Sequence, residues 1–206
     1  MPDDNMSAAR AGGDAARTQL LRDIFLKHGF RASSSRADVE DAIAIGTGAL
    51  GDELADADDV LACERKTERC FFIRRGEDGA AEGFIALLYL NAAGFEALMH
   101  GRFTPASPSL DHLTEPDEPA AALYPWCVAA ADDVAKRALS RAITEARRRA
   151  FYHIPLFARP MSREGRMVIA SLDSPKGPPS WLGWLPQRPE DGLEHHEGGP
   201  DGRFAA

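Results

Sequence analysis

The sequence predicts a mixed α/β (α+β) fold, and three observations carry that reading. Phe84 to Leu90 is an unbroken apolar run, the signature of a strand buried on both faces and covered by helices. It follows the strand candidate Cys70–Arg75 across Gly76-Glu77-Asp78-Gly79, which is turn chemistry. Further on, Val134, Ala135, Ala138, Leu139, Ala142, Ile143 and Ala146 fall at helical spacing, in a helix expected over about 132–149.

The chain has 206 residues, enough for one domain with extensions. A domain of this size buries roughly 70% of its unfolded surface. The 24 basic and 32 acidic residues leave a net charge of −8. An acidic balance disfavours general nucleic-acid binding, which needs a surplus of Lys and Arg to neutralise phosphate. Neither Phe84–Leu90 nor the uncharged stretch Pro119–Ala131 is long enough to span a bilayer, so no membrane partner is expected. Met1 to Asp14 contains Asp3 and Asp4 and no apolar run, unlike a secretory or transit signal. Cys63, Cys70 and Cys127 are odd in number and contain no CxxC, which argues against disulfides and zinc. Together these features predict a cytoplasmic protein with buried or incidental thiols.

Proline sets the boundaries. None occurs between residues 3 and 104, whereas six of the fourteen lie between Pro175 and Pro200. The expected organisation is a disordered N-terminus over 1–13, a single domain over 14–173, and a flexible Pro/Gly-rich tail over 174–206. Trp181, Leu182 and Trp184 are the tail residues suited to docking back.

Within the domain, a first helix is expected from about Asp14 to Lys27, carrying Leu20, Leu21, Ile24 and Phe25 and stopped by Gly29. A short strand over Phe30–Ser33 follows. Ser35 is the candidate cap of a second helix, with Asp38 three residues on in an acidic variant of the capping box. A third helix is expected at about 58–65, and Phe95–Met99 suggests a short fourth one. Residues 101–119 hold four prolines and read as a surface loop. Ala121–Ala130 reads as a strand interrupted by Pro125, which belongs at an edge or a bulge because it cannot donate to a ladder. Asp132 or Asp133 caps the long helix, and Arg147, Arg148 and Arg149 close it where the dipole favours cations. His153–Arg159 is a strand candidate containing Pro155, and Ser162 caps a last helix to about Leu172.

This order, with the stretches RCFFIRRGEDGAAEGFIALLYLN, ALYPWCVAAADDVAKRAL and HIPLFARPMSREGRMVIASL, resembles the GNAT superfamily of N-acetyltransferases over about 36–91 and 120–172. The resemblance implies a mixed sheet with antiparallel first strands, a splayed strand pair at its centre and helices on both faces. It implies acetyl-CoA or another acyl-CoA as cofactor, held in the splay by Trp126, Cys127, Val128 and Ala129, with Val134, Lys136 and Arg137 at the phosphate end. It also implies a small-molecule or peptide amine as acceptor.

The family's phosphate loop, Arg/Gln-x-x-Gly-x-Gly/Ala, corresponds here to Ala131, Val134 and Lys136, so its anchors are replaced. Asp132 and Asp133 add negative charge there, and each like-charge contact at about 4 Å costs on the order of 4 kcal/mol before screening. The tyrosine that many members carry on the final helix is also missing, which leaves Tyr124 as a nearby phenol and His153 as a candidate base.

Two readings therefore stand: an acyl-CoA-dependent N-acyltransferase, and a GNAT-like module that binds a ligand or protein without chemistry. The stretch Ala37–Glu64, with nine acids and no base, suggests a solvated face or a cationic substrate. His195-His196 has metal-ligand chemistry, but a tail lacks the fixed geometry a metal site needs. Nothing in the sequence fixes the oligomeric state.

Overall fold

In the computed structural model, which describes residues 16–51, 54–116, 118–160, 162–172 and 180–182, six strands form one sheet whose spatial order follows the chain. They are β1 (Arg31–Ala32), β2 (Phe71–Arg75), β3 (Ala81–Leu90), β4 (Ala122–Ala130), β5 (Leu156–Ala158) and β6 (Ser180–Leu182). The pairs β1–β2, β2–β3 and β3–β4 are antiparallel, whereas β4–β5 and β5–β6 are parallel. Parallel neighbours need long crossovers. Two helices supply them: α5 (Asp133–Arg149) and α6 (Arg163–Ser171). The other helices are α1 (residues 16–27), α2 (Arg36–Leu50), α3 (Ala57–Thr67) and α4 (Ala92–Met99).

Alternation along β3 assigns the helices to two layers. Ile85, Leu87 and Tyr89 face a core built from Leu21, Ile24 and Phe25 of α1, Leu139, Ala142 and Ala146 of α5, and Ile169 of α6. Phe84 and Ala86 face Val39 and Ala42 of α2 and Val60 and Leu61 of α3. Leu88 and Leu90 pack with Cys63 of α3, Leu98 of α4, Phe103 and Leu113. Gly83 to Leu90 is thus buried on both faces, as its unbroken apolar run predicts.

The caps follow local chemistry. Asp56, Asn91, Asp132 and Ser162 each accept a first-turn N–H, at 2.8–2.9 Å. Ser35 does not, contrary to the capping-box expectation. Ser33 takes its place: Ser33 Oγ accepts from the Ser35 N–H and donates to Asp38. Asp38 is buried and bridged by Arg31 and Arg75. Burial pushes its carboxyl up, but the Ser33 and Arg75 hydrogen bonds and the two guanidinium charges outweigh that and hold it below the usual range.

Arg147, Arg148 and Arg149 close α5 as expected, and Arg147 is buried and donates to the carbonyls of Phe151 and Ile154. Three further expectations change. Val134 is 58% exposed because the α5 stripe begins one residue later, at Ala135. Pro155 precedes β5 and does not interrupt it. The fold also continues past 173, since Ser180–Leu182 adds a parallel strand beside β5. The 1–13 segment, Trp184 and His195-His196 lie outside the described residues.

The proline-rich segment 101–119 is more than a surface loop. Leu110–His112 forms a 3-10 turn, Leu113 bridges to Leu90, and Phe103, Leu113 and Thr114 are buried. Gly94 permits this docking, because a Cβ there would lie 2.2 Å from the His112 carbonyl oxygen.

Glu64 ties the end of α3 to the start of β2. One carboxylate oxygen accepts the N–H groups of Cys70 and Phe71 at 2.7 and 2.8 Å. Burial pushes this carboxyl up to about 7, against those hydrogen bonds and the Arg22 charge. A carboxyl raised in the folded state holds its proton more tightly there than when unfolded. Its contribution to stability is therefore lost as pH rises from the unfolded value towards and past 7. Glu64→Gln keeps an acceptor for both N–H groups and removes the titration. Urea denaturation at pH 5 and pH 8 is expected to show the wild type losing about 2 kcal/mol more than the variant. Equal pH dependence in the two proteins would refute the assignment.

Candidate functional site

The site begins with an interrupted ladder. Leu123 pairs with Leu156 and donates its N–H to the Pro155 carbonyl at 2.8 Å. Backbone groups alternate sides along a strand, so the next N–H of β4 to face β5 belongs to residue 125. That residue is proline and has no N–H. The β4–β5 register contains only the Leu123–Leu156 pair.

A bulge follows at once. Leu87 pairs with Pro125 but Ala86 pairs with Cys127, which leaves Trp126 as the extra residue. The bulge changes the phase of the strand. Tyr124 before it and Cys127 and Ala129 after it all face the α2–α3–α4 layer, whereas Leu123, Val128 and Ala130 face the α1–α5–α6 layer. Leu87 donates to the carbonyl of Cys70, the residue before β2, so the even residues of β3 address β4. Cys127 and Ala129 therefore point their backbone groups at β3, and Val128 and Ala130 point theirs into the gap.

Two cavities meet at this point. The larger, about 810 Å³, fills the gap between β4 and β5. Pro125, Val128 and Ala130 line one side, Ala158 and Arg159 the other, and Leu139, Ser140 and Ile143 of α5 with Val168 and Ile169 of α6 the floor. It crosses the sheet, since Ile45, Gly48 and Ala49 of α2 line it too. The smaller, about 390 Å³, lies in the α2–α3 layer under Pro105 and Ala106. Its lining includes Val39, Ile43, Val60, Phe71, Phe84 and Tyr124. Trp126, Cys127 and Arg159 border both cavities. Gly46 lets α2 approach here, because a Cβ would stand 3.3 Å from the Phe84 ring.

The side chains at the junction differ in chemistry. Trp126 is fixed by its indole N–H, which donates to the Pro105 carbonyl at 2.7 Å. Burial pushes the Cys127 thiol up to about 12, so it carries little thiolate and is no nucleophile at neutral pH. Burial also raises the Tyr124 phenol, against the nearby charge of Arg159, and keeps it protonated. Arg159 is exposed and has no carboxylate partner among the described residues.

The sequence-selected residues therefore separate. Trp126, Cys127, Val128, Ala129 and Lys136 line the larger cavity, and Tyr124 lines the smaller. Val134 and Arg137 are exposed and line neither. His153 is exposed in the turn before β5, at the paired end of the strands, edge-on to Tyr152 at 5.4 Å. It borders neither cavity and does not meet Tyr124. At the start of α5, the Asp132 carboxylate occupies the Ala135 N–H, and Lys136 lies 3.7 Å from Asp133.

Sequence reasoning missed Arg159 and the α2 wall. The signal for Arg159 was a cation directly after an apolar strand and before Pro160, readable only once the end of β5 is known.

No group of three or more potential metal ligands exists among the described residues, and none of their helices is long and apolar enough to cross a membrane. No known family model, curated protein or solved structure matches the chain.

If Pro125 ends the ladder, Pro125→Val supplies a donor aimed at β5. Its new amide is expected to exchange with solvent about a hundredfold more slowly than an open amide. Exchange at the open rate, measured by NMR, would show that something other than the proline holds the strands apart.

Proposed function

We propose that the chain is a GNAT-like, acyl-CoA-dependent N-acyltransferase acting on an amine. The observation that carries this reading is the parallel β4–β5 pair, joined at one register point and opened beside a bulge. A gap of about 810 Å³ with largely apolar walls suits an extended acyl-pantetheine arm. The donor supplies an activated thioester: the acceptor nitrogen bonds to its carbonyl carbon while the C–S bond breaks, and the thiolate leaves with the bonding pair. The Val128 N–H, aimed into the gap, polarises that carbonyl. Tyr124, held protonated, is the one phenol lining either cavity and is the proton source for the thiolate. The proton released by the amine passes to solvent, since no histidine or carboxylate among the described residues lines either cavity.

The phosphate end fits less well. The first turn of α5 already holds the Asp132 carboxylate, and Asp133 lies beside Lys136. That arrangement favours a second reading, a GNAT-like module that holds a ligand in the gap without transfer.

Acetyl-CoA and longer acyl-CoAs are expected to raise the melting temperature, by an amount equivalent to about 2.7 kcal/mol at 100 times Kd. Ser140→Trp fills the gap from α5 and is expected to abolish the shift while leaving the unliganded melting temperature nearly unchanged. Asp133→Asn is expected to tighten binding by about threefold, the scale of an exposed charge pair. Release of free thiol with an amine separates transfer from binding. Absence of a shift with every acyl-CoA tested would refute both the donor and the enzyme.

A further inference from the structure

The smaller cavity has a chemical bias of its own. Its walls are aliphatic and aromatic, from Val39, Ile43, Val60, Phe71 and Phe84. Only four lining side chains carry a hydrogen-bonding group: Trp126, Cys127, Tyr124 and Arg159. The Trp126 N–H is committed to Pro105. The Tyr124 hydroxyl has no hydrogen-bond partner among the described residues, and Arg159 is the charge acting on it. Among the described residues no Asp, Glu or His lines this cavity. A polycation or an alkylammonium would therefore lose its hydration here with no counterion to replace it.

The acids of Ala37–Glu64 suggest a cationic substrate in the sequence, but none of those described lines the cavity. Asp38 and Asp41 are bridged by Arg75, Asp58 by Arg36, and Glu64 is turned onto β2. The cation at the cavity belongs to the protein.

We infer that the smaller cavity is the acceptor pocket and takes an amine with an apolar body and a carboxylate, the carboxylate bound by Arg159. As an acceptor pocket it rests on the transfer reading; the ligand class rests on the lining alone. A planar guanidinium forks two N–H donors onto one carboxylate. Arg159 borders both cavities, so a carboxylate held there leaves the apolar body in the smaller cavity and the amine near Trp126, towards the gap.

Hydrophobic α-amino acids have this arrangement, the amine and carboxylate on one carbon and the apolar side chain beyond them. The test uses L-phenylalanine and L-leucine, each beside its amide, with spermidine as the cationic comparison. Calorimetry without donor and thiol release with acetyl-CoA are the two readouts. At least one acid is expected to bind about tenfold more tightly than its amide, the scale of one charge-assisted hydrogen bond. Spermidine is expected not to compete. Arg159→Met, at an exposed position that does not endanger folding, is expected to erase the acid–amide difference while acetyl-CoA still binds.

Equal affinity for acids and amides, tighter binding of spermidine, or an R159M variant that loses acetyl-CoA but keeps the acid preference would overturn the inference. An acid preference that depends on Arg159, in a protein that binds no acyl-CoA, would uphold the ligand class and refute transfer.

Discussion

Leu123 gives its N–H to Pro155, and the next residue of β4 that faces β5 has no N–H to give. The centre of the molecule is organised around that missing donor. A parallel ladder is built from evenly spaced rungs, and losing one next to a bulge leaves no register in which the strands can close again. The bulge then turns Val128 and Ala130 towards the opening. Their backbone groups face a space instead of a neighbouring strand. A buried backbone group without a partner is costly. An opening of this kind persists only where solvent or a ligand satisfies those groups, so the same feature that weakens the sheet creates a place for one.

The opening also needs rigid walls. Arg147 supplies part of that rigidity. Its guanidinium, nearly inaccessible, donates to the carbonyls of Phe151 and Ile154 and so fixes the turn that delivers Pro155 to Leu123. On the opposite face the loop over 101–119 plays the matching part. Its backbone docks on α4 through Gly94, and its Pro105 carbonyl holds the Trp126 indole. The bulge is thus pinned from the layer that does not contain α5, where Trp126, Cys127 and Arg159 border both cavities.

Much of this frame was legible in the residues. The β2–β3 hairpin announces itself through apolar runs around a Gly-Glu-Asp-Gly turn, and the two-sided burial of β3 follows from its unbroken hydrophobicity. Pro125 marks the break in β4, because the absence of an N–H is a property of the residue type itself. What stayed illegible depends on phase and partner. Val134 fits an apolar stripe by spacing, but the helix faces the sheet through Ala135. Ser35 has the chemistry of a cap, yet Ser33 reaches Asp38 first. β6 is three residues in a segment whose prolines and glycines resemble linker composition; only pairing with β5 gives it a structure. The α2 wall of the larger cavity depends on a crossing of the sheet that no local pattern encodes.

Charge is the clearest case of composition misleading about a site. A stretch with nine acids and no base looks like a surface for cations, and the net charge of −8 agrees with it. Both are sums over residues, whereas the potential in a cavity depends on which charges remain uncompensated within a Debye length, about 8 Å at physiological ionic strength. In the folded chain six acids of that stretch are met by arginines or by backbone N–H groups. Among the described residues the lining of the smaller cavity then contains no carboxylate and one guanidinium, with Lys136 further along the gap. An acidic protein can therefore present a positive, otherwise apolar site. The sign of the molecule governs its long-range encounters, and the sign of the lining governs what is bound after the encounter. Here the two are opposite, so the field of the whole chain does not favour the carboxylate end of a ligand that the cavity would hold. Its capture depends on short-range contact with Arg159 more than on steering.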